Sequence, residues 1–226
     1  MYRDQKIIAL IPARGGSKAI PKKNLVDLGG RPLLVHSIEH ARNCSLVDGI
    51  YISTEDEEIA TVARENGARV IDRPQEFAVD TASSESVVKH AVGEIQLHEP
   101  VDYLLFLQPT SPFRTQASIR QAIEETIDGG FNALITTTED RGYFWIEDAD
   151  GFRTLFEQQP RRRQERTPLY RENSCIYLFN ASSVLERGMV PEDTKQVHLI
   201  AISEEEALDI DTLADLEYAR TFFAGK

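Results

Sequence analysis

Residues 14–31 carry Arg14, Lys18, Lys22, Lys23 and Arg31 against the single acid Asp27. Such a local excess of cations can receive a small anion even in a chain of net charge -12. The segment Arg14 to Asn24, RGGSKAIPKKN, suits phosphate in particular. Its two glycines permit close backbone approach, Ser17 adds a hydroxyl donor, and Arg14, Lys18 and Lys23 offset negative charge. It fits neither G-x-x-x-x-G-K-[ST] nor G-x-G-x-x-G, so neither a Walker loop nor a dinucleotide fingerprint is present. The bland alternative is a surface loop whose cations face solvent. A third reading, a serine nucleophile elbow at Gly15 to Ala19, conflicts with Pro21, which opposes the helix that should follow, and no histidine has a triad context.

A second candidate lies far along the chain, at Asp209 and Asp211 in LDIDT. In an extended segment residues two apart share a face, and two close carboxylates suit Mg²⁺, which completes its shell with water and substrate phosphates. The pair could equally belong to a solvated acidic face that includes Glu204, Glu205 and Glu206, and Asp211 could cap the helix expected from Thr212. Ser83 or Ser84 suits a helix N-cap, and Gln108 ends an apolar segment before a turn stiffened by Pro109 and Pro112. The five histidines form no H-E-x-x-H pattern, so His36 and His40 read as packing or surface residues rather than ligands. Cys44 and Cys175 lack C-x-x-C spacing and read as buried apolar residues.

These residues need elements to place them. Lys6 to Ala13 (KIIALIPA) reads as a strand buried on both faces, ending at the basic loop. A helix opened by Pro32 follows, then a strand at Gly49 to Thr54 and a helix from the acid-rich Glu55 to Glu58. Strands at Ala68 to Ile71, Tyr103 to Leu107 and Asn132 to Thr138 alternate with helices at Ser84 to Leu97 and Ile119 to Ile127. This alternation predicts an α/β fold, a three-layer α/β/α sandwich on a mostly parallel, Rossmann-like sheet. The pattern then changes. Residues 140–176 hold Tyr143, Phe144, Trp145, Phe152 and Phe156, a turn at Asp148 to Gly151, and Arg161 to Arg163, and read as an inserted hairpin exposing a dimer contact. Strands at Ile176 to Asn180 and Val197 to Ile202 and a helix at Leu213 to Phe223 complete one domain over 1–226.

A 41% hydrophobic, 27% charged composition excludes disorder. The net charge argues against nucleic acid and anionic membrane as partners. Without an apolar run of about 18 to 20 residues or a signal-peptide core, the expected location is the cytoplasm.

The order of motifs adds a resemblance. IPARGGSKAIPKKNL, RPQEFAVDTASS, LQPTSPFR, RENSCIY and LDIDT resemble, in succession, the motifs of the acylneuraminate cytidylyltransferases, the CMP-sialic acid synthetases and their legionaminic and pseudaminic relatives, over about nine tenths of the chain. The resemblance implies a nucleotide-diphospho-sugar transferase type of fold and a reaction of CTP with a 2-keto nonulosonic acid. The anomeric hydroxyl would attack the α-phosphorus with Mg²⁺, or Mn²⁺ as the alternative, to give CMP-sugar and pyrophosphate. It implies that Arg14, Ser17, Lys23 and Asn24 meet the nucleotide and its phosphates, with Arg14, Lys23 and Asp211 catalytic. Arg73 and Ser84 would hold cytosine and ribose, and Gln108, Arg163 and Tyr177 would face the sugar. Asp209 and Asp211 would hold the metal, and the 140–176 element would make a homodimer whose partner reaches the sugar pocket. Two positions depart from the family pattern, which has glycine where this chain has Ala19 and Ser174. Positive φ at Ala19 would mean strain. The departures motivate an alternative, a nucleotide-binding module that regulates without catalysis. No H-P-x-K-like segment occurs around Arg141 to Trp145, so the sugar stays open among sialic, legionaminic, pseudaminic and deaminated nonulosonic acids, ahead of Kdo.

Overall fold

A computed structural model describes residues 1–156, 160–189 and 193–224. The first strand, β1 (Ile7–Pro12), is apolar throughout because both its faces are covered. After the basic loop comes a small hairpin, β2 (Asp27–Leu28) and β3 (Arg31–Pro32), that the sequence reading did not anticipate; Gly29 and Gly30 turn it with φ of 62° and 82°. Helix α1 (Leu33–Asn43) follows, then β4 (Gly49–Thr54), α2 (Glu57–Glu65), β5 (Arg69–Asp72), α3 (Ser84–Gln96), β6 (Tyr103–Leu107), α4 (Gln116–Gly129) and β7 (Ala133–Asp140). Short polar side chains start these helices by accepting the first free backbone N–H groups: Asp56 for α2, Ser83 for α3 and Thr115 for α4. The hairpin expected in the aromatic region is β8 (Trp145–Asp148) with β9 (Gly151–Thr154). Then come β10 (Leu169–Asn180), α5 (Ala181–Arg187), β11 (Val197–Ala201) and α6 (Leu213–Ala224).

The central sheet has the order β11-β7-β10-β6-β1-β4-β5, and β10 alone runs against its neighbours. Alternate residues along the strands feed two cores. Ile7, Ala9 and Ile11 pack with Leu34, Ile38, Ile59, Ile119 and Ile123 of α1, α2 and α4. Ile8 and Leu10 face the other way, against Val88, Val92, Ile95 and Val184 of α3 and α5. This period-two division on a continuously apolar strand makes the three layers.

The structure corrects one boundary. The strand expected from Ile176 already begins at Leu169, where it pairs with the end of β7, so part of the supposed insertion extends the main sheet. Residues 157–159 of that segment lie outside those described.

The chain leaves β1 for β4 and β5 on one side and returns to β6 on the other. The β1/β6 pair is therefore the topological switch point, where open α/β sheets bind ligands beyond the strands' carboxyl ends. Stability at this pair rests on Leu105, fully buried at the centre of β6 on the face away from α3. Leu105→Ala is expected to cost about 2–5 kcal/mol of unfolding free energy, measured by urea titration.

Candidate active site

Beyond the ends of β1 and β6 opens a cleft of about 290 Å³, lined by Arg14, Ser17, Lys23, Asn24, Arg73, Ser84 and Gln108. Seven side chains expected to contact nucleotide or sugar thus share one cavity. Each is held by its local chain. Gly15 packs so closely on the start of α2 that a Cβ would lie 2.9 Å from Asp56 Cβ, and its N–H donates to Glu55 Oε1 at 2.8 Å. The loop is therefore tied down at its first glycine. That bond and the Ser17 N–H to Gly15 O bond of 3.0 Å engage two amides expected to face a ligand. A ligand anion consequently meets mainly side chains. Asn24, buried, donates from Nδ2 to Arg14 O at 2.8 Å, so it shapes the loop as well as lining the cleft. Arg73 is buried at the end of β5, with Nε 3.1 Å from Ser53 Oγ and Nη2 2.6 Å from Ser53 O. Burial lowers its pKa, and Glu55 partly restores it. Ser83 takes the capping role at α3, which leaves the hydroxyl of Ser84 to line the cleft.

Asp80, unremarked as a site residue in the sequence, faces the basic loop. Its carboxylate binds Arg14 Nη1 at 2.6 Å and also Lys18. Hydrogen bonds from Lys18 and then Arg14 hold it below the usual carboxylate range. A carboxylate here satisfies the same donors that a phosphate would need.

On the opposite rim Lys23 meets Asp211 across 188 residues of chain, Nζ to Oδ1 at 2.9 Å, and also donates to Ile210 O at 3.0 Å. Asp211 does not cap α6. Thr212 does, its Oγ1 accepting Asp215 N–H at 3.2 Å while Asp215 accepts Thr212 N–H at 2.7 Å. Asp209 is half-buried, with Oδ1 lacking any hydrogen-bond partner. Burial raises its pKa, the Thr110 hydrogen bond lowers it, and neighbouring Asp211 raises it further. Among the described residues no set of three or more His, Cys, Asp or Glu forms a metal cluster. Two carboxylates with one orphaned buried oxygen nevertheless fit a hard divalent ion, which usually takes one or two protein carboxylates and fills its remaining positions with water and phosphate.

A neighbouring cavity of about 300 Å³ shares Ser84, Phe106 and Gln108 with the first and adds Glu85, Glu172, Tyr177 and Met189. Tyr177 reaches it through an irregularity in β10. Five steps from Glu172 to Tyr177 match two steps from Thr137 to Ile135 on β7, so three residues are extra and both side chains share a face. Asn173 anchors the bulge, Oδ1 accepting from Thr136 Oγ1 at 2.7 Å and Cys175 N–H at 3.2 Å. Ser174 carries its left-handed turn with φ of 58°. The Tyr177 hydroxyl donates to Glu172 Oε1 at 2.5 Å and lies 3.1 Å from Ser174 Oγ; burial and then Glu172 raise its pKa, so it remains a donor.

The other positions singled out in the sequence fall in several places, some as expected and some not. Arg163 is exposed beyond the β8–β9 hairpin and lines neither cavity of this chain. Ala19 keeps an ordinary φ, whereas Ser174 takes the glycine-like conformation. The serine elbow is absent: a short 3-10 turn, Lys23–Leu25, follows the loop, and no histidine lines the cleft. His36 and His40 are packing residues, with burial lowering the pKa of His40 to about 3. Cys44 and Cys175 are buried thiols. Asp80, Thr110 and Glu172 sit within quoted motifs, but spacing gave no sign that their side chains face these cavities.

Residues 8–223 match the family described as cytidylyltransferase. The chain belongs to the cytidylyltransferase family. It is accordingly a nucleotidyltransferase, and the non-catalytic module is not favoured. Over 225 residues it is 31% identical to the pseudaminic acid cytidylyltransferase of Campylobacter jejuni, covering 96% of each chain. It is 34% identical to the CMP-N,N'-diacetyllegionaminic acid synthase of Legionella pneumophila, covering 93% of each. An N-acylneuraminate cytidylyltransferase of Escherichia coli is 31% identical over 96% of this chain and 52% of its own. In fold, the chain is similar to a CMP:2-keto-3-deoxy-manno-octonic acid synthetase solved with CTP, at TM-score 0.70 and 19% identity over 98% of this chain and 99% of that one.

Asp80 competes for Arg14 and Lys18 with any phosphate that would reach them. Asp80→Asn is therefore expected to tighten CTP binding about three- to tenfold, and calorimetric titration in low salt measures it.

Proposed function

We propose that this cytidylyltransferase couples CTP to the anomeric hydroxyl of a nonulosonic, sialic-acid-like 2-keto sugar acid, forming CMP-sugar and pyrophosphate. One observation carries the reading: Lys23 and Asp211 meet at the rim of a basic cleft that opens, past Gln108, into a second cavity large enough for an acceptor. Arg14, Ser17 and Lys18 are disposed to hold the phosphates, and Arg73 and Ser84 to hold cytosine and ribose. Gln108 and Tyr177 face the sugar. Transfer at phosphorus asks a protein mainly to align two anions and to offset charge on the phosphate oxygens. Lys23, fixed by two bonds at its tip, supplies that charge without having to reorganise. Asp209 and Asp211 would hold Mg²⁺, or Mn²⁺ in its place, and the bound ion would polarise the α-phosphate and favour ionisation of the attacking hydroxyl.

The chain acts in this reading as one catalytic unit over 1–226 and as a homodimer. Trp145, Phe152 and Tyr170 are 62%, 71% and 50% exposed, apolar area that a second copy of the 140–176 element would cover. Arg163 on that element would then reach the partner's acceptor cavity, a cation for the sugar's carboxylate. Use of free CTP supports action in the cytoplasm. No helix among the described residues is long and apolar enough to cross a membrane.

The test incubates the purified protein with CTP, Mg²⁺ and sialic, legionaminic, pseudaminic and deaminated nonulosonic acids plus Kdo, detecting CMP-sugar by mass spectrometry and pyrophosphate in parallel. A nonulosonic acid is expected to outpace Kdo, and absence of product with every acceptor overturns the proposal. Asp211→Ala is expected to lower kcat by roughly a hundredfold or more while its melting temperature stays near that of the parent; near-normal turnover would remove Asp211 from the metal site.

A further inference from the structure

Arg114 is a charged side chain only 3% exposed, and its acceptors among the described residues are two backbone carbonyls and a serine hydroxyl, none of them a carboxylate. Its guanidinium spends its donors on three places. Nε donates to Cys175 O at 2.7 Å, Nη1 to Ser37 Oγ at 2.8 Å, and Nη2 to Gln108 O. Ser37 Oγ in turn donates to Gln108 O at 3.2 Å, closing a triangle between α1, the end of β6 and the Arg114 side chain. The other arm grips the bulge of β10 between Ser174 and Tyr177. Asp209 adds its field to this cation from the neighbouring segment.

We propose that Arg114 is a positioning residue for the acceptor side of the cleft, fixing Gln108 and the Asn173-to-Tyr177 bulge relative to one another through a buried guanidinium. The inference rests on the reading of the second cavity as the acceptor site. A guanidinium is the right group because its donors are planar and rigidly splayed, so three fixed acceptors fix each other's positions. Lysine keeps the charge but presents a single nitrogen that cannot span the same acceptors. Neither Arg114 nor Ser37 lines the cleft or the second cavity, so both act through the backbone of residues that do.

The experiment compares Arg114→Lys and Ser37→Ala with the parent enzyme, using the best acceptor from the panel. Ser37→Ala removes one acceptor and one hydroxyl while keeping the buried cation, so it stays informative if Arg114→Lys does not fold. Three quantities are measured: CTP affinity by calorimetry without acceptor, acceptor KM with kcat, and melting temperature. Acceptor KM is expected to rise about tenfold in Arg114→Lys and about threefold in Ser37→Ala, with CTP affinity within about twofold of the parent in each. Parallel loss of CTP affinity, acceptor affinity and melting temperature would mark a merely structural role and overturn the proposal. So would folded variants with an unchanged acceptor KM. Failure of the parent enzyme to convert any acceptor is a distinct result, read before any variant is made, and it removes both the proposed function and this inference.

Discussion

A cation sealed inside the protein sets the terms for everything around it. Taking a guanidinium out of water costs several kcal/mol unless its donors are met, and Arg114 meets them with two backbone carbonyls and a serine hydroxyl. Those acceptors cannot drift without exposing an uncompensated charge. The end of β6, the middle of β10 and the first turns of α1 are thereby held to one another, and Gln108 and Tyr177 are carried on fixed backbone. Opposite this rigid wall stands the loop after β1, tied by Glu55 and Asn24 rather than by regular structure. The site thus combines one wall fixed by burial with another fixed by a few polar contacts.

Charge is distributed with a similar economy. The whole chain carries -12, yet Arg14, Lys23 and Arg73 line one cavity. Cations so close together would repel one another if left alone. Asp80, Glu55 and Asp211 sit between or beside them and offset that repulsion. The surrounding acidic surface leaves this cleft as a local positive region, and low-dielectric walls concentrate such a field on an approaching anion.

Much of this was legible beforehand because strands covered on both faces must be apolar end to end. KIIALIPA, GIYIST and YLLFL announced the sheet, and a loop of glycine and lysine after the first announced where an anion would sit. The resemblance of the motif order places Lys23 and Asp211 in one catalytic site, but the ion pair between them, across 188 residues, is a tertiary contact that neither the motifs nor any local spacing reveals. Other features depend on tertiary packing. The position of Arg163 turns on an arm whose docking a single sequence does not encode locally. Ala19 and Ser174 look equivalent as replacements for glycine, yet only Ser174 lies in a bulge that demands positive φ. Arg114 was visible inside LQPTSPFR, but nothing in its neighbours announced that a charged residue would be buried.

The bulge in β10 has a bearing on how such chains diverge. Side chains along a strand alternate between two faces, and the odd number of extra residues between Glu172 and Tyr177 is what brings both to one side. Losing or gaining a single residue there would send Tyr177, Phe179 and everything beyond them to the opposite layer, exchanging the contents of the two cores. Substitutions within the stretch leave that parity intact; indels of one residue reverse it. In this part of the molecule the fold constrains length more strictly than identity, whereas the hairpin turn at Asp148 to Gly151, exposed and lining neither cavity, can lengthen or shorten without disturbing either core.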